Sequence, residues 1–176
     1  MTRVAARSAG ALVARRAGTR ILAIDPGPVR SAWLFLENDR PASFSIYEND
    51  VLLECLRRPA GFGATFRGSV DVVVIEQIES FGMAVGREVF ETVHWSGRFT
   101  EAAHPATVVQ LPRRTVKLHL CKSARAKDSN IRAALIDRFG GSSAIGRKSA
   151  PGPLLGIAND VWSALAIAVT YADGAA

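Results

Sequence analysis

Cysteine, histidine and long apolar runs are scarce in this sequence, and each scarcity excludes a class of protein. The two cysteines, Cys55 and Cys121, are far apart and form no CxxC pair, which excludes a disulfide framework and a cysteine-based zinc site. His94 and His119 lack the spacing of metal ligands, so we expect structural roles for them. No apolar run approaches the roughly 20 residues of a membrane span. Residues 1–20 contain five arginines without a long apolar stretch, so they predict neither an anchor nor a secretion signal. We therefore expect a soluble protein of a reducing, cytoplasmic compartment, with no membrane partner.

The net charge of +6 is unevenly distributed along the chain. Residues 21–112 carry 7 basic and 12 acidic side chains, whereas residues 113–148 carry 10 basic and 2 acidic ones. This division suits a metal-dependent enzyme that acts on a polyanion, because carboxylates bind cations and basic side chains bind phosphates. A solvated basic helix is the alternative that charge alone leaves open.

The apolar pattern predicts one α/β domain over residues 20–176, preceded by a basic flexible arm over residues 1–19. With 176 residues, 48% of them hydrophobic, the chain can bury one core and is too short for two substantial domains. A meander of three strands is followed by alternating helices and strands, which favours one mixed sheet flanked by helices. The predicted strands are 21–25, 31–37, 42–47, 70–76 and 106–111, the predicted helices are 48–58, 86–103, 128–139 and 159–171, and residues 141–158 form a loop.

Two apolar segments each end in a carboxylate. The run ILAIDPG reads as a buried strand that gives way to a turn at Asp25, and Val70–Glu76 is a second such strand. If these strands are adjacent and parallel, their acids meet at one edge of the sheet, where open α/β sheets carry their ligand sites. Two carboxylates in contact repel each other unless a proton or a divalent cation intervenes, and Mg²⁺ prefers oxygen ligands. The pair therefore predicts a metal site, while a purely structural turn at Asp25 stays open.

A third acid, Asp160, lies at the start of the last apolar helix. It shares a helix face with Ser163, Ala164, Ile167 and Ala168. A helix packed on the sheet through this small, apolar face would bring Asp160 toward the other acids. Capping of the helix start is the alternative role, because Asp is favoured there by the helix dipole.

The blocks ILAIDPG, VVIEQ and NDVWSALAIAV follow one another in this order along the chain. Together they resemble the RuvC-type Holliday junction resolvases of the RNase H-like superfamily. Longer blocks, ESFGMAVGREVFET, KLHLCKSARAKDSNIRAALIDRFGG and PGPLLGIANDVWSALAIA, resemble the bacteriophage relatives, so the resemblance covers most of residues 20–172. It implies an RNase H-like fold, with a five-stranded mixed sheet and helices on both faces. It also implies a nuclease that cuts branched DNA with two Mg²⁺ or Mn²⁺ ions per active site, in the host cytoplasm if the protein is phage-encoded.

Carried over by position, the resemblance makes Asp25, Glu76 and Asp160 the catalytic and metal-binding acids. In two-metal hydrolysis one ion, bridged by Asp25, lowers the pKa of the attacking water, and the other stabilises the leaving 3′ oxygen. One position departs from the bacterial pattern, because Ser163 stands where those resolvases carry a further Asp. A fourth ligand is therefore open, with Asp128, Glu79 or a chain of waters as substitutes.

The resemblance also directs attention to DNA contacts. Phe81 and Met83, in a glycine-flanked loop after Glu76, are candidate wedges that unstack bases at the crossover, or else pack against the following helix. Because symmetric cleavage of a four-way junction requires two active sites, we expect a homodimer with twofold symmetry. The candidate phosphate contacts are Lys117, Lys122, Arg125, Lys127, Arg132 and Lys148.

Three other functions stay open. An actin-like or sugar-kinase fold also has Asp and Gly after its first strand, but it needs a second phosphate loop and an adenosine pocket that this length and glycine pattern do not provide. A non-catalytic relative that binds branched DNA would account for Ser163, although the three acids argue against it. An RNase H-like nuclease for flap DNA or RNA:DNA hybrids is barely distinguished from a resolvase by sequence.

Overall fold

A five-stranded mixed sheet forms the centre of the computed structural model, which describes residues 19–58, 70–80, 82 and 84–175. The strands are β1 (Arg20–Asp25), β2 (Arg30–Glu37), β3 (Arg40–Glu48), β4 (Val72–Gln77) and β5 (Thr107–Pro112). They lie side by side in the order β3-β2-β1-β4-β5. The pairs β1 with β2 and β2 with β3 are antiparallel, and the pairs β1 with β4 and β4 with β5 are parallel.

The antiparallel part is a meander whose second turn is encoded locally. Asn38 and Asp39, between β2 and β3, both have positive φ, 51° and 61°. Asn and Asp tolerate this left-handed conformation, and a two-residue turn of this kind matches the twist of the strands it joins. This turn joins the second and third strands of the predicted meander, and β3 lies at the edge of the sheet.

Helices cover both faces of the sheet, as predicted. One face packs through Leu22 and Ile24 against α1 and α2, and the other packs through Ile21 and Ala23 against α3, α4 and α5. The helices are α1 (Asn49–Arg57), α2 (Arg87–Ala102), α3 (Arg113–Cys121), α4 (Asp128–Arg138) and α5 (Val161–Ala172).

The last helix, α5, lies directly on the sheet because its contact face is made of small side chains. Ala164, Ile167 and Ala168 are all fully buried in the core between α5 and the strands. Small residues allow the helix to approach closely, and the buried apolar area of this layer stabilises the fold by about 25 cal/mol per Å². In the described part of the chain, no helix combines the length and hydropathy needed to cross a membrane.

The predicted fold class is confirmed, whereas one helix was missed and one local prediction is wrong. Residues 113–121 form a helix, α3, that the sequence pattern did not reveal, because Val116 is its one fully buried residue and a single apolar position gives no periodicity. The predicted loop 141–158 contains a short hairpin, β6 (Gly146–Arg147) with β7 (Ala150–Pro151). The other boundaries lie within two residues of those predicted. Residues 1–18 of the predicted arm lie outside the described residues, so the division at residue 20 stays a prediction.

Candidate functional site

The acids at the ends of β1 and β4 lie next to each other on one face of the sheet. The strands are parallel with Ile24 opposite Ile75, so the next residues, Asp25 and Glu76, emerge side by side. In both strands the residues two and four positions before the acid belong to the core under α5. Because side chains alternate along a strand, both carboxylates project to the face that α5 covers. The predicted meeting of Asp25 and Glu76 at one edge is confirmed.

Asp160 and Ser163 approach the same place from α5. Asp160 occupies the N-cap position of α5, is exposed, and makes no capping hydrogen bond through its side chain, so only the helix-dipole part of the capping alternative stays open. Its negative charge raises the pKa of Asp25, and Ser163, one turn further on, lies near enough to Asp25 to lower that pKa. Ser163 thus places a neutral side chain beside Asp25.

Burial and mutual repulsion make Asp25 a poor anion in the absence of a cation. Removal from water raises the pKa of Asp25 well above its ordinary value of 3.8, and the charges of Glu76 and Asp160 raise it further. Arg113 and the Ser163 hydroxyl oppose this effect without cancelling it. A carboxylate in this state gains most from a bound cation, because the cation removes the repulsion that raises its pKa.

Arg113 is a residue of this centre that the sequence did not single out. It is the first residue of α3, and Nη1 donates to both Glu76 carboxylate oxygens at 3.0 and 3.2 Å. Its Nη2 donates to Oδ1 of Asp128 at 2.6 Å. Burial raises the pKa of the Glu76 carboxyl, and the Arg113 guanidinium counteracts the rise. In the register of β4 with β5, Glu76 lies opposite Leu111, so a side chain two residues later reaches back to it.

A buried polar network fixes the turn that carries Asp25. The Gly27 N–H donates to Ser31 Oγ at 3.2 Å, Ser31 Oγ donates to Asn49 Oδ1 at 2.6 Å, and Asn49 Nδ2 donates to the Gly27 carbonyl at 2.9 Å. A Cβ at position 27 would collide with the carbonyl oxygen of Arg30, so glycine is required there. Ser31 and Asn49 are only 1% and 2% exposed, which makes this network a rigid support for the acid.

The donor set has the chemistry that a divalent cation of the Mg²⁺ type requires. Asp25, Glu76 and Asp160 offer carboxylate oxygens, and the first of them is destabilised by its neighbours in the way that a cation relieves. In the described conformation, however, no three His, Cys, Asp or Glu side chains of the described residues converge closely enough to hold an ion. The residues therefore fit a metal site in type, and in this conformation Arg113 occupies the contact with Glu76.

The two substitutes for a fourth ligand lie in different surroundings. Asp128 is tied to the centre through Arg113, although its side chain is 77% exposed. Glu79 is exposed beyond the end of β4. Of the two, only Asp128 shares a contact network with Glu76 in the described structure.

The predicted phosphate contacts are distributed over α3, α4 and the β6–β7 hairpin. Lys117 lies close enough to Glu76 to lower its pKa, so it belongs to the surroundings of the acidic centre. Arg132 stacks over the ring of Trp162 with its Cζ 5.1 Å from the ring centroid, and that tryptophan is two residues from Asp160. The remaining members are solvent-exposed, and they are Lys122 at the end of α3, Arg125 and Lys127 before α4, and Lys148 in the turn of the hairpin.

Two candidates cannot be placed, because Phe81 and Met83 lie outside the described residues. Three supporting residues were missed at the level of sequence, namely Arg113, Ser31 and Asn49. Arg113 had one available signal, its position just after a strand that ends in Pro112, two residues beyond an inward-facing leucine. Ser31 and Asn49 had none, since single polar residues in a strand and at a helix start are common.

The fold resembles solved structures of RuvC from Thermus thermophilus. The structure described as Thermus thermophilus RuvC superimposes with a TM-score of 0.57 at 16% identity, covering 88% of this chain and 93% of that one. The structure of T. thermophilus RuvC in complex with Holliday junction substrate gives a TM-score of 0.62 at 18% identity, with the same coverage of both chains. No protein-family model and no curated protein matches the sequence. At identities this low, the structural similarity shows a shared fold and nothing more specific.

Proposed function

We propose that this protein is a metal-dependent endonuclease that hydrolyses phosphodiester bonds in branched DNA, with four-way junctions as its substrate. The observation that carries the proposal is the acidic centre, in which Asp25 and Glu76 end adjacent parallel strands and Asp160 begins the helix packed over them. The RuvC-like fold supports it, since one of the similar structures is a complex with a Holliday junction. The sequence blocks around all three acids support it independently.

In this proposal each acid has a task set by its surroundings. Asp25, held by the buried Gly27, Ser31 and Asn49 network, is the rigid ligand on which two Mg²⁺ or Mn²⁺ ions depend, and Glu76 and Asp160 complete the donor set on either side. When bound, the ions would activate a water for in-line attack and stabilise the leaving oxygen. Ser163 lies beside Asp25 and favours its ionised form by lowering its pKa.

The basic side chains supply the DNA-binding surface of the proposal. Lys117 lies near Glu76, so it is placed to contact the phosphate next to the bond that is cut. Arg132 is held by Trp162 beside the start of α5, which reduces the entropy lost when it contacts a phosphate. The exposed cations around the α3–α4 connection extend this surface along the backbone, and their contribution should fall as salt rises.

We further propose a homodimer, because paired cuts at a junction need two active sites. An exposed apolar pair on α2 supports a self-complementary contact, with Phe90 65% and Val93 49% exposed. Sedimentation of Phe90→Glu should then show a monomer, whereas Val51→Glu, at an exposed valine of α1, should sediment as the wild type does. A wild-type monomer on junction DNA would contradict the dimer.

The finer assignment to the bacteriophage branch is also a proposal. It is supported by the three longer sequence blocks, which extend from Glu79 to Ala168 and include the connection between α3 and α4. A phage enzyme of this kind would act in the cytoplasm of its bacterial host, where replicating phage DNA forms branches.

The proposed function is tested by cleavage of matched substrates. A labelled four-way junction, a flap, an RNA:DNA hybrid and a linear duplex of the same sequence are incubated with the protein in Mg²⁺, Mn²⁺ or EDTA. We expect cleavage of the junction that requires either metal, with little cleavage of the duplex. Preferential cleavage of the flap or the hybrid would show that the four-way junction is not the main substrate, while the proposal of a metal-dependent nuclease would stand. Absence of cleavage together with metal-independent junction binding would refute the proposed enzymatic activity. The protein would then be a non-catalytic protein that binds branched DNA.

A further inference from the structure

We propose that Arg113 is an internal counterion that competes with the divalent metal for Glu76 and must release this carboxylate before the metal can bind. The inference rests on the proposed metal-dependent function and adds a step to it. It concerns a residue outside the three predicted acids, and its basis is the geometry of one arginine between two carboxylates.

The contact with Glu76 uses the atoms that a metal would need. Nη1 of Arg113 donates to both Oε1 and Oε2, at 3.2 and 3.0 Å. The Glu76 side chain is only 8% exposed, so the edge facing Arg113 is most of what the carboxylate offers. A guanidinium and a divalent cation repel each other and cannot share that edge. Binding of metal through Glu76 therefore requires Arg113 to move.

The second contact of Arg113 provides a place to which it can withdraw. Nη2 donates to Asp128 at 2.6 Å, and this carboxylate is 77% exposed, on the solvent side of the guanidinium. Arg113 itself is 32% exposed, so its outer edge already faces water. Pro112 fixes the backbone just before it at a φ of −61°, which confines the movement to the side chain. Arg113 can thus leave Glu76 while it keeps Asp128.

The charge balance shows why this pairing does not replace a metal. The carboxylates of Asp25, Glu76, Asp128 and Asp160 surround the centre, whereas its nearby cations are Arg113 and Lys117. One guanidinium shared between Glu76 and Asp128 leaves Asp25 without a contacting cation among the described residues. A divalent ion delivers twice the charge to the same place, so displacement of Arg113 is favourable once metal is available.

The test is a metal titration of the full chain without DNA, in which calorimetry measures the heat of binding. Wild type, Arg113→Gln and the control Arg114→Gln, which removes one exposed positive charge from the adjacent position, are titrated with Mn²⁺. We expect Arg113→Gln to bind Mn²⁺ about tenfold tighter than both others, because a charge-assisted contact no longer has to be broken. In the wild type, the side-chain NMR signal of Arg113 should shift as Mg²⁺ is added. The shift should be half complete at the Mg²⁺ concentration that equals the dissociation constant.

Each outcome of the titration decides between distinct statements. Equal or weaker Mn²⁺ binding by Arg113→Gln, with normal binding by the wild type, would overturn the competition and leave the metal-dependent function intact. Absence of Mn²⁺ binding by every variant would remove the metal requirement itself. If Arg113→Gln does not fold, Arg113→Lys keeps the charge but replaces the two nitrogens that contact Glu76 and Asp128 separately with a single ammonium nitrogen. Intermediate affinity is then expected, and wild-type affinity would overturn the inference.

Discussion

Two clusters of arginine and carboxylate lie on the same side of the sheet, and they differ in how far their charges are balanced. In the acidic centre of Asp25, Glu76 and Asp160, with the neighbouring Asp128, four carboxylates have two nearby cations, Arg113 and Lys117. In a second cluster, the C-terminal clasp of His119, Arg138 and Asp173, one carboxylate lies between a guanidinium and an imidazole. The chemistry of the side chains is similar in both, so their different behaviour follows from their numbers and their burial.

The C-terminal clasp is satisfied internally. Arg138 donates from both terminal nitrogens to Asp173, at 2.8 and 2.7 Å, and His119 Nε2 lies 2.7 Å from the same carboxylate. Burial alone would raise the pKa of Asp173, but the hydrogen bonds from Arg138 and His119 outweigh it and lower the pKa. Because the three residues come from α3, α4 and the end of α5, the clasp ties these helices together.

The acidic centre has the opposite balance, since burial and repulsion raise the pKa of both Asp25 and Glu76. The fold therefore loses stability to keep these acids together, which is the usual signature of a site that binds an external cation or reacts. An arginine in contact with a carboxylate therefore does not by itself show that the pair stabilises the fold. The clasp pairs its carboxylate internally, whereas the acidic centre keeps an excess of negative charge.

The largest expected effect is the loss of cleavage in Asp25→Asn. Removal of this ligand should lower the single-turnover rate on junction DNA by about 10³-fold or more, because pre-organised charge at the reacting group is lost. The same change should raise the urea midpoint of the metal-free protein, since it removes a buried charge that its neighbours repel. Junction binding should be kept or tightened, because a negative charge is removed from the DNA-facing surface.

The comparison would break if Asp25→Asn cleaved at a rate near that of the wild type, since Asp25 would then lie outside the active site. A second contradictory result would be a lower stability of Asp25→Asn than of the wild type in EDTA, because the Asp25 carboxylate would then stabilise the fold. Asp25 would then be a structural turn residue, the alternative that the sequence left open.

A smaller effect of the opposite kind is expected for Asp173→Asn. Loss of the charge-assisted contacts to Arg138 and His119 should lower the free energy of unfolding by about 1–3 kcal/mol, with junction cleavage nearly unchanged. Urea denaturation measures the loss, and the exposed Asp137 on α4 offers a matched control through Asp137→Asn. Equal stability of the two variants would show that the clasp contributes nothing beyond a surface ion pair.

The sequence predicts the acidic centre better than its surroundings because the two are encoded differently. Asp25 and Glu76 each end an uninterrupted apolar strand, so pairing of parallel strands is enough to bring them together. Arg113 reaches Glu76 through the register of β4 with β5 and the start of α3, a helix with too few apolar residues to be read as one. The contact depends on tertiary structure that no local pattern specifies.

The support of the Asp25 turn was hidden for a related reason. Ser31 and Asn49 are 18 positions apart and meet only when β2 and α1 are packed, so neither residue is marked in the sequence. Gly27 was visible as part of a turn, but the need for glycine there comes from the nearby carbonyl of Arg30. Positions fixed by strand pattern were predictable, whereas positions fixed by long-range contacts were not.

The smallest expected effect is a difference in pH dependence between the two clusters, measured by urea denaturation in EDTA. Asp173 has a lowered pKa in the folded state, so its stabilisation is complete above the ordinary value of 3.8 and is lost as pH falls through the lower, folded value. Asp25 has a raised pKa, so its contribution is complete below 3.8 and is lost as pH rises through the higher, folded value. Each group can change the slope of the free energy of unfolding against pH by at most about 1.4 kcal/mol per pH unit. Asp25→Asn should therefore gain stability over the wild type as pH rises above 3.8, whereas Asp173→Asn should lose its deficit only in acid below that value. Parallel pH profiles for the two variants would mean that both clusters carry the same balance of charge, which would contradict the division between a satisfied clasp and an acidic centre.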